Sequence, residues 1–184
     1  MKHYDFYDGP QGRMLLVANE RGLCGVYFDG QKYLAQVDPA WSRDPDHATL
    51  RRARRELEEY FGGGRKRFEI ALAPDGTPFQ RAVWNAISTV AFGDTISYGE
   101  LARRAGSPGS ARAAGAATGR NPISIIVPCH RIVGSNGSLT GYAGGLARKR
   151  ALLALESLPL DPLLAGDSQP GRGLRAHPGL ELVR

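Results

Sequence analysis

Residues 96–122 read ISYGELARRAGSPGSARAAGAATGRNP, and the punctuation of this stretch decides the fold. ISYGELARRAG, 96–106, is a short helix stopped by Gly106. SPGS makes a turn, and ARAAGAATG is a second short helix that ends at Gly119 and that Pro122 keeps from continuing. Two short helices across a tight turn form the helix-turn-helix arrangement. A helix that reads base edges needs Arg, Asn or Gln side chains aimed into the major groove. From Ser110 to Gly119 the second helix has one long side chain, Arg112. So smooth a helix can lie against a sugar-phosphate wall, or against a neighbouring helix, without reading sequence. A single arginine on it can enter a base stack and fill the space of an extruded base.

Just downstream, residues 127–133 read VPCHRIV. Most cysteines are small core hydrophobes. Here Pro128 stops or bends a strand-like apolar run at Cys129, because it cannot donate a ladder hydrogen bond. His130 and Arg131 are each suited to stabilise a thiolate, which is the nucleophilic form. Ile125, Ile126 and Val127 anchor one side and Ile132 and Val133 the other, so a reactive group sits on a firm scaffold. Beyond it SNGSLTGYAGG is a glycine-rich loop, and LARKRALLALE, 146–156, is a last amphipathic helix.

Upstream, RMLLVANERGLCGVYF, 13–28, predicts two strands around the turn Glu20-Arg21-Gly22, with Cys24 as core filler beside Leu23, Val26 and Phe28. Residues 29–45 are irregular, and 45–61 have the apolar spacing of a helix whose charged face, Arg51 to Glu59, is solvated. Gly62-Gly63-Gly64 ends that helix, and RFEIALAP is another strand. Thr77 caps a helix with Phe79, Val83, Trp84 and Ile87 on one face. The fold class is therefore α+β. A small N-terminal α/β domain with a short antiparallel sheet, 1–75, precedes a mainly helical domain with the helix-turn-helix, 76–156. A loose Pro/Gly-rich tail, 157–184, comes last.

Composition narrows the function. With 184 residues, 42% hydrophobic and 23% charged, the chain is an ordinary globular sequence. It has no run long enough to span a membrane and no signal-peptide core at its start, which predicts a cytoplasmic, reducing setting with Cys24 and Cys129 as free thiols. No metal site is expected, since no Cys/His cluster supports one. The net charge of +6 is concentrated: residues 1–75 and 157–184 each balance to zero, while 76–156 hold nine Lys and Arg against three Asp and Glu. A basic segment around the helix-turn-helix predicts a polyanionic partner, most simply nucleic acid.

Asn121-Pro122, IIVPCHRIV, TGYAGG and a helix ending in Glu156 together resemble the O6-alkylguanine-DNA alkyltransferases, over about Phe79 to Glu156 and more loosely upstream. The resemblance implies repair by one irreversible transfer of an alkyl group from O6-alkylguanine to Cys129, with O4-alkylthymine a further candidate substrate. It implies no cofactor, and a monomer that binds double-stranded DNA without sequence specificity. In that reading His130 activates Cys129 through a water and Glu156 orients His130. Tyr98 assists flipping and protonates the leaving guanine, Asn121 stabilises the active-site turn, and Arg112 fills the vacated stack. Ala113, Arg120 and Arg131 join the DNA contacts. Tyr142, Ala143, Gly144 and Ile132 form the guanine pocket.

Ala143 departs from some relatives, which place a serine near the guanine oxygen; little is lost if a backbone N–H is the donor there, and contacts to that oxygen are weaker if it is not. Three rivals fit less well. A non-catalytic binder of alkylated DNA would lack the acceptor cysteine. A helix-turn-helix regulator would carry a polar recognition helix and a dimerisation element. A cysteine hydrolase built on Cys129, His130 and Asn121 would need its Cys and His apart in sequence, and it leaves the basic segment unexplained.

Overall fold

The computed structural model describes residues 1–156, so the tail expected at 157–184 lies outside the described residues. The chain opens with three antiparallel strands, β1 (His3–Gly9), β2 (Gly12–Asn19) and β3 (Gly22–Phe28). The two-residue strand β4 (Ser42–Arg43) runs parallel to β1, giving the order β3-β2-β1-β4. The hairpin of β2 and β3 is the one predicted. Strand β1 is an addition that the sequence hid, because Asp5 interrupts its apolar alternation. Asp5 is nonetheless buried, held by Arg54 and by Arg43 Nε at 3.3 Å.

Helix α1 (Ala48–Phe61) lays Leu50, Ala53, Leu57 and Tyr60 on the sheet. Its charged face is not wholly solvated as expected. Glu56 is fully buried, accepting from Arg52 Nε at 2.7 Å and from the Glu69 N–H at 2.9 Å, and Arg54 reaches inward to Asp5. The strand expected at RFEIALAP is reduced to one bridge between Leu72 and Leu23. There the Ala71 carbonyl presses so close to Gly22 that a Cβ would collide with it, and Gly22 holds φ +141°. Cys24 is buried as core filler, as expected, but not beside the expected neighbours. A bulge between Val17 and Ala18 turns it to the outer face with Leu15 and Val17, while Leu23, Val26 and Phe28 enter the main core.

The second half begins with α2 (Pro78–Ser88), where Thr77 and Gln80 form a reciprocal capping box and Pro78 takes the first turn. β5 (Ile96–Ser97) leads directly into α3 (Tyr98–Arg104), capped by the Ser97 hydroxyl on the Glu100 N–H. Gly106 turns the chain at φ +76°, and α4 (Ala111–Gly119) comes next. Leu101 and Ala102 of α3 and Ala114 and Ala117 of α4 are buried, and Trp84 Nε1 donates to the Ala117 carbonyl at 2.9 Å. A 3-10 turn (Cys129–Arg131), β6 (Ile132–Val133) parallel to β5, and α5 (Leu146–Leu155) complete the described residues.

One continuous core joins the halves: Leu16, Val26, Phe28 and Leu57 pack in the same cluster as Val83, Ile87, Leu101, Ile123 and Leu152. Val26 and Ile123 are bridged directly, with the Val26 N–H on the Pro122 carbonyl at 2.8 Å. The sheet thereby buttresses the turn that carries the cysteine.

Candidate active site

The run from Asn121 to Cys129 is not the strand its β-branched residues predict. Ile125 sits at φ +71°, a rare conformation for a β-branched residue, and the chain folds back on itself. Asn121 holds this fold-back together. Its Oδ1 accepts from the Ile123 N–H at 3.0 Å, and its Nδ2 donates to the Val127 carbonyl at 2.8 Å. The same Nδ2 lies 3.1 Å from Cys129 Sγ. One amide therefore shapes the turn and gives the sulfur a hydrogen-bond donor. Pro128 does end the run, as expected, but from Cys129 the chain enters a 3-10 turn rather than an extended segment. Successive side chains in such a turn still diverge, by about a third of a revolution.

Behind the turn lies a buried ionic cluster. Glu156, at the end of α5, accepts from His130 Nε2 at 2.8 Å, from Tyr60 Oη at 2.8 Å and from the Gly93 N–H at 3.2 Å. Arg131 grips the same carboxylate with Nε and Nη2, both at 2.9 Å, and donates Nη1 to the Val90 carbonyl at 2.7 Å. Burial alone would raise the Glu156 carboxyl, but the bonds from His130 and Arg131 outweigh it and hold the group down at about 2. Arg131 is accordingly a correction. It is buried and wholly engaged with Glu156 and Val90, so it neither faces DNA nor stabilises the thiolate.

His130 is fully buried, and burial pushes its pKa down against the pull of Glu156. With an ionised Glu156 as acceptor, Nε2 carries the proton and Nδ1 presents its lone pair; Nδ1 meets no protein partner among the described residues. Burial raises the Cys129 thiol, while Asn121 and the charge of Lys149 pull the other way. The resting state is a protonated thiol beside a neutral histidine base.

Cys129 opens into a cavity of about 430 Å³. Of the expected pocket residues Tyr142 and Ala143 line it, together with Tyr98, Arg120, Gly115, Ala116, Thr118, Gly119 and Gly141. Tyr98 Oη donates to the Thr140 carbonyl at 3.2 Å, and burial raises its pKa, so it stays a neutral phenol. Two expected pocket residues are elsewhere. Ile132 is fully buried with its carbonyl taken by Lys149 Nζ at 2.5 Å, and the Gly144 carbonyl accepts from Arg148 Nη1 at 3.1 Å, so neither lines the cavity. Arg112 and Ala113 are exposed on α4, outside the cavity. A larger cavity of about 530 Å³ lies against Phe92 and Pro128, and no cysteine lines it.

Four residues that the sequence reading missed belong here. Lys149 is fully buried and also donates to the Thr140 carbonyl at 2.9 Å; burial brings its pKa down to about 8. Its spacing to Leu152 and Leu153 on one helical face was the available signal. Tyr60 reaches Glu156 from α1, as an unremarkable member of an apolar face. Lys32 and Tyr33 line the cavity from an irregular loop with no periodicity to read.

Comparison with known proteins places these features in company. The model of the 6-O-methylguanine DNA methyltransferase ribonuclease-like domain matches residues 2–74, and that of the DNA binding domain of the same name matches residues 78–158. The methylated-DNA–protein-cysteine methyltransferase of Methanosarcina acetivorans is 47% identical over 154 residues, which are 84% of this chain and 97% of that protein. The protein of the same name from Mycobacterium tuberculosis is 45% identical over 159 residues, 85% of this chain and 93% of the relative. The crystal structure of Mycobacterium tuberculosis OGT in complex with DNA aligns with a TM-score of 0.77 at 44% identity, covering 84% of this chain and 92% of that one.

Proposed function

The chain belongs to the 6-O-methylguanine DNA methyltransferase family, and we propose from that premise that it repairs DNA by moving the alkyl group of an O6-alkylguanine irreversibly onto Cys129, once per molecule. The observation that carries this reading is the placement of Cys129 Sγ at a cavity, 3.1 Å from an Asn121 N–H and next in sequence to a histidine that Glu156 locks as a neutral base.

The steps derive from that geometry. The alkylated base, which pairs poorly, leaves the stack and enters the cavity. His130 Nδ1 takes the thiol proton through a bridging water, and Glu156 stabilises the imidazolium that forms. Sγ attacks the alkyl carbon, the S–C bond forms as the C–O6 bond breaks, and the electron pair goes to guanine. Tyr98 supports the leaving ring as a neutral donor, and in the net reaction the thiol proton ends on guanine. The thioether has no leaving group for water to displace, so the protein is spent.

Duplex DNA is the partner, gripped without sequence preference, since α4 carries only Arg112 as a long outward side chain. The protein acts as a monomer in the cytoplasm. The test is intact mass and peptide mapping after mixing with duplex DNA containing O6-methylguanine. One methyl per molecule, on Cys129, is expected; repeated turnover, or a methyl on Cys24, overturns the reading.

A further inference from the structure

The first half of the chain reaches the cavity at one point, the turn after β3. Gln31 is buried, and its Oε1 accepts from the Phe28 N–H at 2.8 Å and from Ser124 Oγ at 3.2 Å. The next residue, Lys32, donates its N–H to the Ala143 carbonyl at 3.0 Å, which ties this turn to the loop bearing Tyr142. Tyr33 comes next, in the left-handed region at φ +61°, and is 50% exposed. A large apolar ring held out at a cavity mouth, in a conformation its residue type disfavours, marks a positioned group.

Two cations lean on that ring. Lys32 Nζ lies 5.2 Å from its centroid, and the Arg120 guanidinium, at the end of α4, lies 4.9 Å from it. Cation–π contact gathers both charges at one place. Among the described residues neither cation meets a carboxylate, whereas Arg52, Arg55, Arg103 and Arg104 each lie on a glutamate. Two like charges brought together without a counter-charge repel, and an arriving anion relieves that repulsion. Both line the cavity that holds Cys129.

We infer that Lys32, Tyr33 and Arg120 form a phosphate clamp that holds the backbone of the nucleotide whose base enters the Cys129 cavity. The clamp rests on the alkyl-transfer reading of the same cavity. Its ligand is a phosphodiester within DNA. Tyr33 is a positioning residue that acts through the two cations, and the N-terminal half thereby contributes directly to DNA engagement.

The experiment compares alkylation of Cys129 by duplex O6-methylguanine DNA with alkylation by free O6-benzylguanine, which has no phosphate. The salt dependence of duplex binding is recorded alongside. Lys32→Gln should reduce the magnitude of the salt slope by about one and lower the ratio of duplex to free-base rates about tenfold. Tyr33→Leu should lower the same ratio, and Tyr33→Phe should restore it because the ring remains. An unchanged slope and ratio in Lys32→Gln, or an equal loss on both substrates, overturns the clamp. A wild-type protein that alkylates with neither substrate overturns the underlying reading, which separates that failure from a failure of the clamp.

Discussion

At the scale of single residues, the site separates making a nucleophile from keeping one. Glu156 carries four partners, and its charge is what keeps His130 in the tautomer with a free Nδ1. Glu156→Gln would leave Arg131 without its counter-charge in the interior. Breaking a buried pair on one side costs roughly 3–5 kcal/mol. The linkage has a defined sign. The folded carboxyl titrates at about 2, below the ordinary glutamate value of about 4.3, so its stabilisation is present above pH ~4.3 and is lost as pH falls toward 2. Denaturation of wild type and Glu156→Gln from pH 7 to pH 3 should show a stability gap that narrows only at the acid end. A gap constant across that range would mean that the carboxylate charge is not what the interior needs. Arg112 gives a second prediction. It is exposed on α4 and outside the cavity, so its proposed role is on the duplex and not in the chemistry. Arg112→Ala should slow repair of duplex DNA by roughly 1–3 kcal/mol, the value of one stacking contact, while sparing the reaction with free O6-benzylguanine. Equal losses would make Arg112 a fold residue.

At the scale of elements, α4 presents a smooth surface while α5 works from behind. Helix α5 ends at Glu156 and, two turns earlier, sends Lys149 inward to the carbonyls of Ile132, Thr140 and Gly141. These acceptors lie on β6 and on the loop that carries Tyr142 into the cavity. Helix and pocket loop are thus coupled through one ammonium group, at the cost of a pKa brought down by burial to about 8. Lys149→Met keeps the length and loses the donors. It should slow alkylation by both duplex DNA and free base, by about ten- to a hundredfold, because small misplacements of a reacting pair are that expensive. Rate measurements on both substrates, with thermal unfolding as control, check this. A variant that loses stability but keeps both rates would reduce Lys149 to a packing residue.

At the scale of the whole molecule, the net charge of +6 and the core shared by the two halves set how the protein meets DNA. All the excess charge lies between residues 76 and 156, the stretch that carries α4 and Cys129. The structure brings Lys32 across from the otherwise neutral half to join it. Neutralising phosphates releases counterions, so binding should weaken linearly on a log–log plot against salt. A footprint of a few contacts gives a slope of a few units, at about −0.9 per contact. Anisotropy of several labelled duplexes should return one slope whatever their sequence. A strong preference for one undamaged duplex would favour a sequence-reading regulator, and salt-independent binding would remove the electrostatic account.

What the amino-acid sequence determined by itself was local. The helix cap at Thr77, the turn at Gly106, the smoothness of α4 and the reactive Pro-Cys-His-Arg cluster depend on neighbours in the chain, and all were legible there. Only the tertiary structure decided the rest, because it depends on pairs far apart in sequence. Asp5 breaks the apolar alternation of β1, and only the distant Arg43 and Arg54 let it be buried there. The β-branched run before Cys129 looked extended, yet Asn121 and the bridge from Val26 folded it back. Arg131 read as a surface cation until Glu156 drew it inside, 25 residues away. Spacing along the chain reports which groups exist and which face they share. Burial and long-range pairing decide which of those groups are charged, which are free to react, and which are already spent on holding the others in place.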